Sequence, residues 1–221
     1  MTPLQKRIIK CIELIKEATA GLRPTLTASL IKDFGRDPYI ILISCLLSLR
    51  ARDTMTYPVS KALFARAKTP QELLQIDQKE LEELFYPLGF YRVKAQRVKE
   101  VSQELIKRFG GNVPQTEEEL LTIKGIGRKT ANLVLGAAFE KPAICVDTHV
   151  HRLANRLGWV ETKTPAQTEV ALKHVVPKEY WLQVNNYLVL WGQNICVPIS
   201  PLCSRCVLNP LCPKVGVAKR R

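Results

Sequence analysis

The chain has 221 residues, 46% of them hydrophobic, enough to bury the core of one domain or two small ones and unlike a disordered or fibrous composition. Lys and Arg outnumber Asp and Glu by 33 to 20, a net charge of +13, which favours a polyanionic partner, and nucleic acid is the commonest of these. The longest apolar stretch, Tyr39 to Leu49, carries Ser44 and Ser48 and is too short to span a bilayer, and no long helix pairs a basic face with an aromatic one, so no membrane partner is expected.

Along the chain the punctuation is helical. Leu4, Ile8, Cys11, Ile12 and Ile15 recur at helical spacing among lysines and glutamates, which predicts an amphipathic helix ending before Gly21. Asp37-Pro38, Thr69-Pro70 and Thr164-Pro165 each set a capping side chain before a proline at the first helical position, and Glu72 and Gln167 complete capping boxes. Asp77 with Glu80 and Thr116 with Glu119 repeat the box pattern. An amphipathic run from about Arg92 to Phe109 stops at Gly110-Gly111, with Pro114 just beyond. Alternation of period two is nearly absent, so the expected fold is almost all-α. The run Ala143 to Val146 reads as an extended connector, and the basic tail Lys219 to Arg221 as frayed.

The segment Leu120 to Thr130, LLTIKGIGRKT, is a helix-hairpin-helix signature. A helix opened by Thr116 runs into Gly125-Ile126-Gly127, and Arg128, Lys129 and Thr130 begin another through Leu133, Val134 and Phe139. The glycines allow a tight turn and close approach of a ligand, while the first N–H groups of the second helix lack intrahelical partners and suit a phosphate. The plainer alternative is a corner in which the glycines only cap helices. Lys129 is unusual because a cation in the first turn opposes the helix dipole, and Arg128 beside it adds like-charge repulsion. Both effects favour a neutral, nucleophilic amine of the kind that forms Schiff bases. The other reading makes Arg128 and Lys129 phosphate contacts.

After the connector, Asp147 precedes a helix in which Val150, Leu153, Ala154 and Leu157 share one face, so Asp147 is expected at its N-cap. A carboxylate held by N–H groups stays ionised, and it could accept a proton or stabilise positive charge. His149 beside it reads as a structural hydrogen-bonder.

Cys196, Cys203, Cys206 and Cys212 follow the spacing C-x6-C-x2-C-x5-C. With no apolar N-terminal leader, and with Cys11, Cys45 and Cys145 in apolar runs, disulfides are disfavoured and an intracellular rather than secreted chain is expected. Four thiolates this close imply a metal centre. Zinc usually takes two C-x2-C knuckles, whereas only Cys203 and Cys206 form one here; the spacing also departs from the bacterial ferredoxin run, and it leaves iron–sulfur ahead of zinc.

GIGRKTAN, VDTHVHRLANRL and the four-cysteine run together resemble the endonuclease III family of helix-hairpin-helix DNA glycosylases, over about Pro38 to Cys212 and with the N-terminal helix in its place. The resemblance implies two helical domains flanking a DNA-binding cleft: a six-helix barrel with the hairpin at 31–141, and a discontinuous domain of 1–30 and 142–221 around a [4Fe-4S] cluster. It is the resemblance, not the spacing, that sets zinc aside. It further implies a monomer acting on double-stranded DNA with damaged bases or abasic sites, cytoplasmic and nucleoid-associated in a prokaryote. Oxidised pyrimidines would be removed and the abasic site then cleaved, with Lys129 as nucleophile and Asp147 as its acidic partner. Extrusion of the damaged nucleotide would fall to two loops, Ser48 to Asp53 and Gly89 to Tyr91. There Arg50 stands where many relatives carry glutamine and Phe90 at a wedge position often held by leucine. DNA contacts are expected from Arg50, Phe90, Gly125, Gly127 and Arg128. Relatives often place basic residues between the first two cluster cysteines; the loop Val197 to Leu202 has none, and Arg205 is the candidate replacement.

Two other readings stand beside this one. A monofunctional mismatch-specific glycosylase is disfavoured by Lys129 and by the short run of chain after Cys212. A non-enzymatic iron–sulfur DNA-binding protein would use Lys129 only as a phosphate contact and Asp147 only as a cap.

Overall fold

A computed structural model describes residues 1–221 and contains twelve α-helices, two single 3-10 turns and no strand. In chain order the helices are α1 (Pro3–Glu17), α2 (Leu26–Phe34), α3 (Pro38–Ser48), α4 (Asp53–Phe64), α5 (Pro70–Gln75) and α6 (Gln78–Phe85), then α7 (Tyr91–Phe109), α8 (Glu117–Leu121), α9 (Arg128–Ala137), α10 (Thr148–Arg156), α11 (Pro165–Val175) and α12 (Trp181–Asn194). The chain divides into two compact units, Thr25–Lys141 and Met1–Pro24 with Pro142–Arg221. The break expected at residues 30–31 falls inside α2. That helix opens at Thr25, whose hydroxyl accepts from Ala28 N–H, and it buries Leu26 and Leu30 as it packs on α3 and α4.

In the unit 25–141, every residue of α3 from Tyr39 to Leu47 is buried, as expected of a helix that is apolar on all faces. Asp37 caps it, accepting from Ile40 N–H at 2.9 Å, with Pro38 in the first turn. Its two serines turn their hydroxyls back on the helix, Ser44 to Ile40 O and Ser48 to Cys45 O, so the buried helix carries little polar cost. Around it pack α2, α4, α7 and α9. The Tyr39 and Ser102 hydroxyls join α3 to α7 at 2.8 Å, and burial pushes the Tyr39 phenol above its ordinary range.

The proline-marked starts all form as expected, with complete capping boxes at Thr69 with Glu72 and at Thr164 with Gln167. Two expected boxes do not close. Asp77 accepts from Lys79 N–H, while Glu80 pairs instead with Arg66. Thr116 caps α8 by accepting from Glu119 N–H, but the Glu119 carboxylate turns to the Thr116 hydroxyl rather than its backbone. In both cases a side-chain partner outcompetes a backbone N–H. A further box, Thr2 with Gln5 and Pro3 at the first position, opens α1 and had not been anticipated. Helix α9 ends at Ala137, so Phe139 lies beyond it.

In the other unit, Ile8, Ile12 and Ile15 of α1 join Val150 and Leu153 of α10 and Leu188 and Trp191 of α12 in one core. The run 143–146 is an extended, buried connector whose Cys145 carbonyl accepts from Asn185 Nδ2 at 2.9 Å. The tail is not frayed. Arg221 N–H donates to Pro201 O, its backbone oxygen accepts from Ser204 N–H, and its Nε donates to Ser200 O. Neither local composition nor charge signals such a return, because its partners lie on a loop some twenty residues earlier.

α10 and α12 approach closely at Gly192. A Cβ there would lie 2.9 Å from both His149 Cβ and Nδ1 and 3.1 Å from Arg152 Nη2. His149 Cβ is fixed to its own backbone and has no rotamer by which to withdraw. Replacing glycine by alanine inside a helix ordinarily gains up to ~1 kcal/mol; here overpacking reverses the sign. Gly192→Ala should cost ~1–3 kcal/mol of unfolding free energy, read as a lower midpoint in denaturant. A midpoint equal to or above that of the parent would refute the close approach.

Candidate functional site

In the hairpin, Ile123 and Ile126 are buried and anchor the turn between α8 and α9. Gly125 adopts φ 97°, so the backbone calls for glycine, and the space beside it is taken by the flexible guanidinium end of Arg97. Gly127 is the N-cap of α9 and differs: no side-chain bond caps the helix there, and a Cβ on Gly127 would meet nothing within 4 Å. The chain's own packing does not demand a glycine at 127, whereas a backbone approached from outside would. Arg128 and Lys129 are exposed in the first turn, and Arg128 Nε lies 3.4 Å from Glu117 Oε1 on α8. That carboxylate offsets part of the like-charge pressure expected on Lys129. Beneath, Thr130 Oγ1 lies 3.7 Å from the Cys45 thiol of α3. Burial pushes that thiol up, opposed by the Lys129 charge.

Helix α3 also leads into the first of the two loops. Arg50 has φ 54° and Phe90, at the start of α7, has φ 60°, both in the left-handed region that side-chain-bearing residues avoid. The loops meet, with the Arg50 guanidinium 5.6 Å from the Phe90 ring centroid. Phe90 is 60% exposed while Leu88 and Phe85 are buried, so Phe90 is not a core residue.

Asp147 caps α10 as expected: Oδ1 accepts from His149 N–H at 2.8 Å and Val150 N–H at 2.9 Å. Both bonds fall on one oxygen, which fixes the carboxylate. His149 Nδ1 contacts Arg152 Nη2 at 3.1 Å, in keeping with a structural role. Lys129 and Asp147 belong to different units.

Cys196, Cys203, Cys206 and Cys212 line one cavity whose walls include Leu153, Trp191, Ile195 and Leu208. No three metal-binding side chains close on a point where one ion could sit. A tetrahedral zinc site with bonds of ~2.3 Å draws its sulfurs to within ~4 Å of each other. Four thiolates around one cavity are also the ligand set that a cluster of four irons would use. Two N–H groups already address the sulfurs, Trp191 Nε1 to Cys206 at 3.3 Å and Arg156 Nη1 to Cys196 at 3.4 Å. Burial pushes the Cys206 and Cys212 thiols up. Arg156 also donates to Val197 O and Pro198 O, holding the loop that carries no cation of its own. Arg205 ends the 3-10 turn Cys203–Arg205 and is exposed. Cys11, Cys45 and Cys145 are buried free thiols.

Sequence reasoning missed Arg97, Glu117, Arg156 and Trp191. Only Arg156 left a trace: with Arg152 it sets two cations four residues apart on a strongly amphipathic helix, where a half-buried arginine needs acceptors.

Residues 43–178 match the family described as HhH-GPD superfamily base excision DNA repair protein, and the chain belongs to that family. It is 47% identical to Endonuclease III of Thermotoga maritima over 192 residues, covering 85% of this chain and 90% of that protein. Against the longer plant and vertebrate relatives it spans about half to two thirds of their length. Two solved structures, titled a non-covalent Endonuclease III–DNA complex and a trapped Endonuclease III–DNA covalent intermediate, each match with a TM-score of 0.83 at 32% identity, covering 97% of both chains. The chain is a DNA glycosylase of the helix-hairpin-helix fold.

Because Phe90 is exposed and backbone-strained, Phe90→Gly should change unfolding free energy by no more than ~1 kcal/mol, relief of the left-handed strain offsetting lost ring contact and added chain entropy. Phe85→Ala, in the core, should cost ~3–5 kcal/mol. Denaturant titrations of the two variants separate them, and a core-sized loss at Phe90 would reverse the assignment.

Proposed function

We propose that the chain is a bifunctional glycosylase and abasic-site lyase acting on damaged pyrimidines in duplex DNA, with Lys129 as nucleophile. The observation that carries this reading is an exposed lysine in the first turn of α9, two residues after Gly127, whose open side leaves room for a phosphate. A relative of the same fold is described as trapped covalently on DNA, which is what an amine nucleophile produces.

A base stacked in a duplex is out of reach, so the nucleotide is extruded at a cost of roughly a few kcal/mol, less for a poorly stacked lesion. Phe90 fills the gap and Arg50, stacked on it, addresses the opposite strand; their strained backbones keep both side chains outside the core. The hairpin binds phosphate through backbone N–H groups and so positions without reading sequence. Lys129 Nζ attacks C1′; the glycosidic bond breaks with its electron pair leaving on the base, and the amine loses a proton. Sugar-ring opening gives an iminium, which makes the C2′ proton acidic. Its removal expels the 3′ phosphate as the C3′–O bond breaks, and water later releases the lysine. Asp147, fixed through Oδ1, offers Oδ2 to stabilise cationic character at the sugar and to relay protons. Cys196, Cys203, Cys206 and Cys212 would hold a [4Fe-4S] cluster, which supplies a rigid crosslink of the loops around the cavity when bound.

Two experiments test this. Lys129→Gln should abolish the borohydride-trapped adduct with abasic duplex, while Asp147→Asn, which preserves the cap, should slow single-turnover excision by about 10²–10⁴-fold. An adduct of undiminished yield in the lysine variant removes the mechanism. For the cavity, metal analysis should return about four irons and four inorganic sulfides per chain and no zinc, with loss of visible absorption in Cys203→Ser. One zinc per chain would reassign the centre.

A further inference from the structure

Between Ile195 and Arg221 there are five cations, Arg205, Lys214, Lys219, Arg220 and Arg221, and no carboxylate side chain. The loop Val197 to Leu202 contributes none of them, yet the tail is laid against it. Arg221 is held by backbone bonds of 2.9 Å to Pro201 O and from Ser204 N–H, and its Nε reaches Ser200 O at 3.2 Å. Ser200 takes φ 51°, a left-handed turn that presents its carbonyl to that guanidinium. One residue of the tail is tucked in as well: Val217 lines the cysteine cavity. The tail is thus a fixed part of the cysteine region, with Lys219, Arg220 and Arg221 exposed beside the exposed Arg205. Lys214 is spent locally on Asn209 O and Cys212 O. Lys219 and Arg220 make no hydrogen bond or ion pair within the chain. Lys219, Arg220 and Arg205, held in place without internal acceptors in a segment that has no carboxylate side chain, are a surface for a polyanion, with Arg221 as the anchor that holds the tail there.

We infer that Lys219, Arg220 and Arg221, docked on the cysteine loop, form with Arg205 a contact to the phosphate backbone of duplex DNA, so that a returning tail supplies the charge the loop itself lacks. Pinning matters energetically. A cation whose backbone is already ordered loses less conformational freedom on meeting a phosphate than one on a loose tail. The contact is independent of base identity and works alongside the hairpin. The inference rests on the proposed function, in that it takes the polyanion to be the same duplex.

The test is the salt dependence of binding to an undamaged duplex, measured by fluorescence anisotropy across a range of potassium chloride concentrations. Each phosphate contact contributes about 0.9 to the slope of log K against log salt. The double variant Lys219→Gln/Arg220→Gln keeps every hydrogen bond of the tail and should lose about 1.8 units of slope, and Arg205→Gln about 0.9. Circular dichroism and visible absorption equal to the parent's show that fold and cysteine region persist. A slope unchanged in both variants, with parent binding intact, overturns the tail contact alone. A parent chain that shows no salt-dependent binding overturns the functional reading and this inference with it.

Discussion

The unit 25–141 is organised by the complete burial of α3. A helix apolar on every face has to be surrounded, and the surrounding helices are then placed by it rather than by their own pairings. One consequence is geometric. The C-terminal half of α3 touches α9 through Cys45 and Thr130, and α3 then runs directly into the loop bearing Arg50. The lysine-bearing turn and the strained loop are therefore referenced to the same buried rod. Side chains meant to act on one nucleotide need relative placement to within a fraction of an ångström, and a shared rigid element supplies it better than two loops positioned independently.

Rigidity in the other unit comes from satisfied polar groups as much as from apolar packing. Arg152 donates to Gly192 O and Cys196 O, and Arg156 to Val197 O and Pro198 O, so two guanidiniums on one helix hold the chain that enters the cysteine region. Burial lowers the Arg152 pKa, and carbonyl acceptors compensate for the lost water. The close approach at Gly192 is what brings those carbonyls within reach. Asp147, at the start of the same helix, inherits this stiffness.

What was legible in the sequence was local. Proline after an Asp or Thr cap, Gly110 after a long amphipathic run, and Asp147 before an apolar helix face each act within a turn, and each forms where expected. The cysteine group and the hairpin were legible for the same reason, since their chemistry depends on short spacing. What failed depended on partners distant in sequence. Glu80 has box spacing but goes to Arg66 fourteen positions away, and the basic tail, frayed by composition, finds its acceptors on another loop. Phe90 was ambiguous between core and surface, as any single phenylalanine near a helix start is; only its exposure and positive φ decide. Arg97 left no trace at all, because the space beside Gly125 that it occupies is a property of the folded chain.

The left-handed residues show how stability and function are divided. An aromatic residue at φ near +60° costs of order 1–3 kcal/mol, and nothing in the core recovers that for Phe90, whose ring stands in solvent against a guanidinium. The helices on either side hold it: α3 is fixed by burial, and α7 is locked at its far end by the glycine cap at Gly110. Strain concentrated at two facing exposed residues, on elements with little freedom to relax, is hard to explain as a packing accident. It suits the insertion role proposed for Phe90 and Arg50, in which side chains already clear of the protein follow an extruded base without a rearrangement of the backbone.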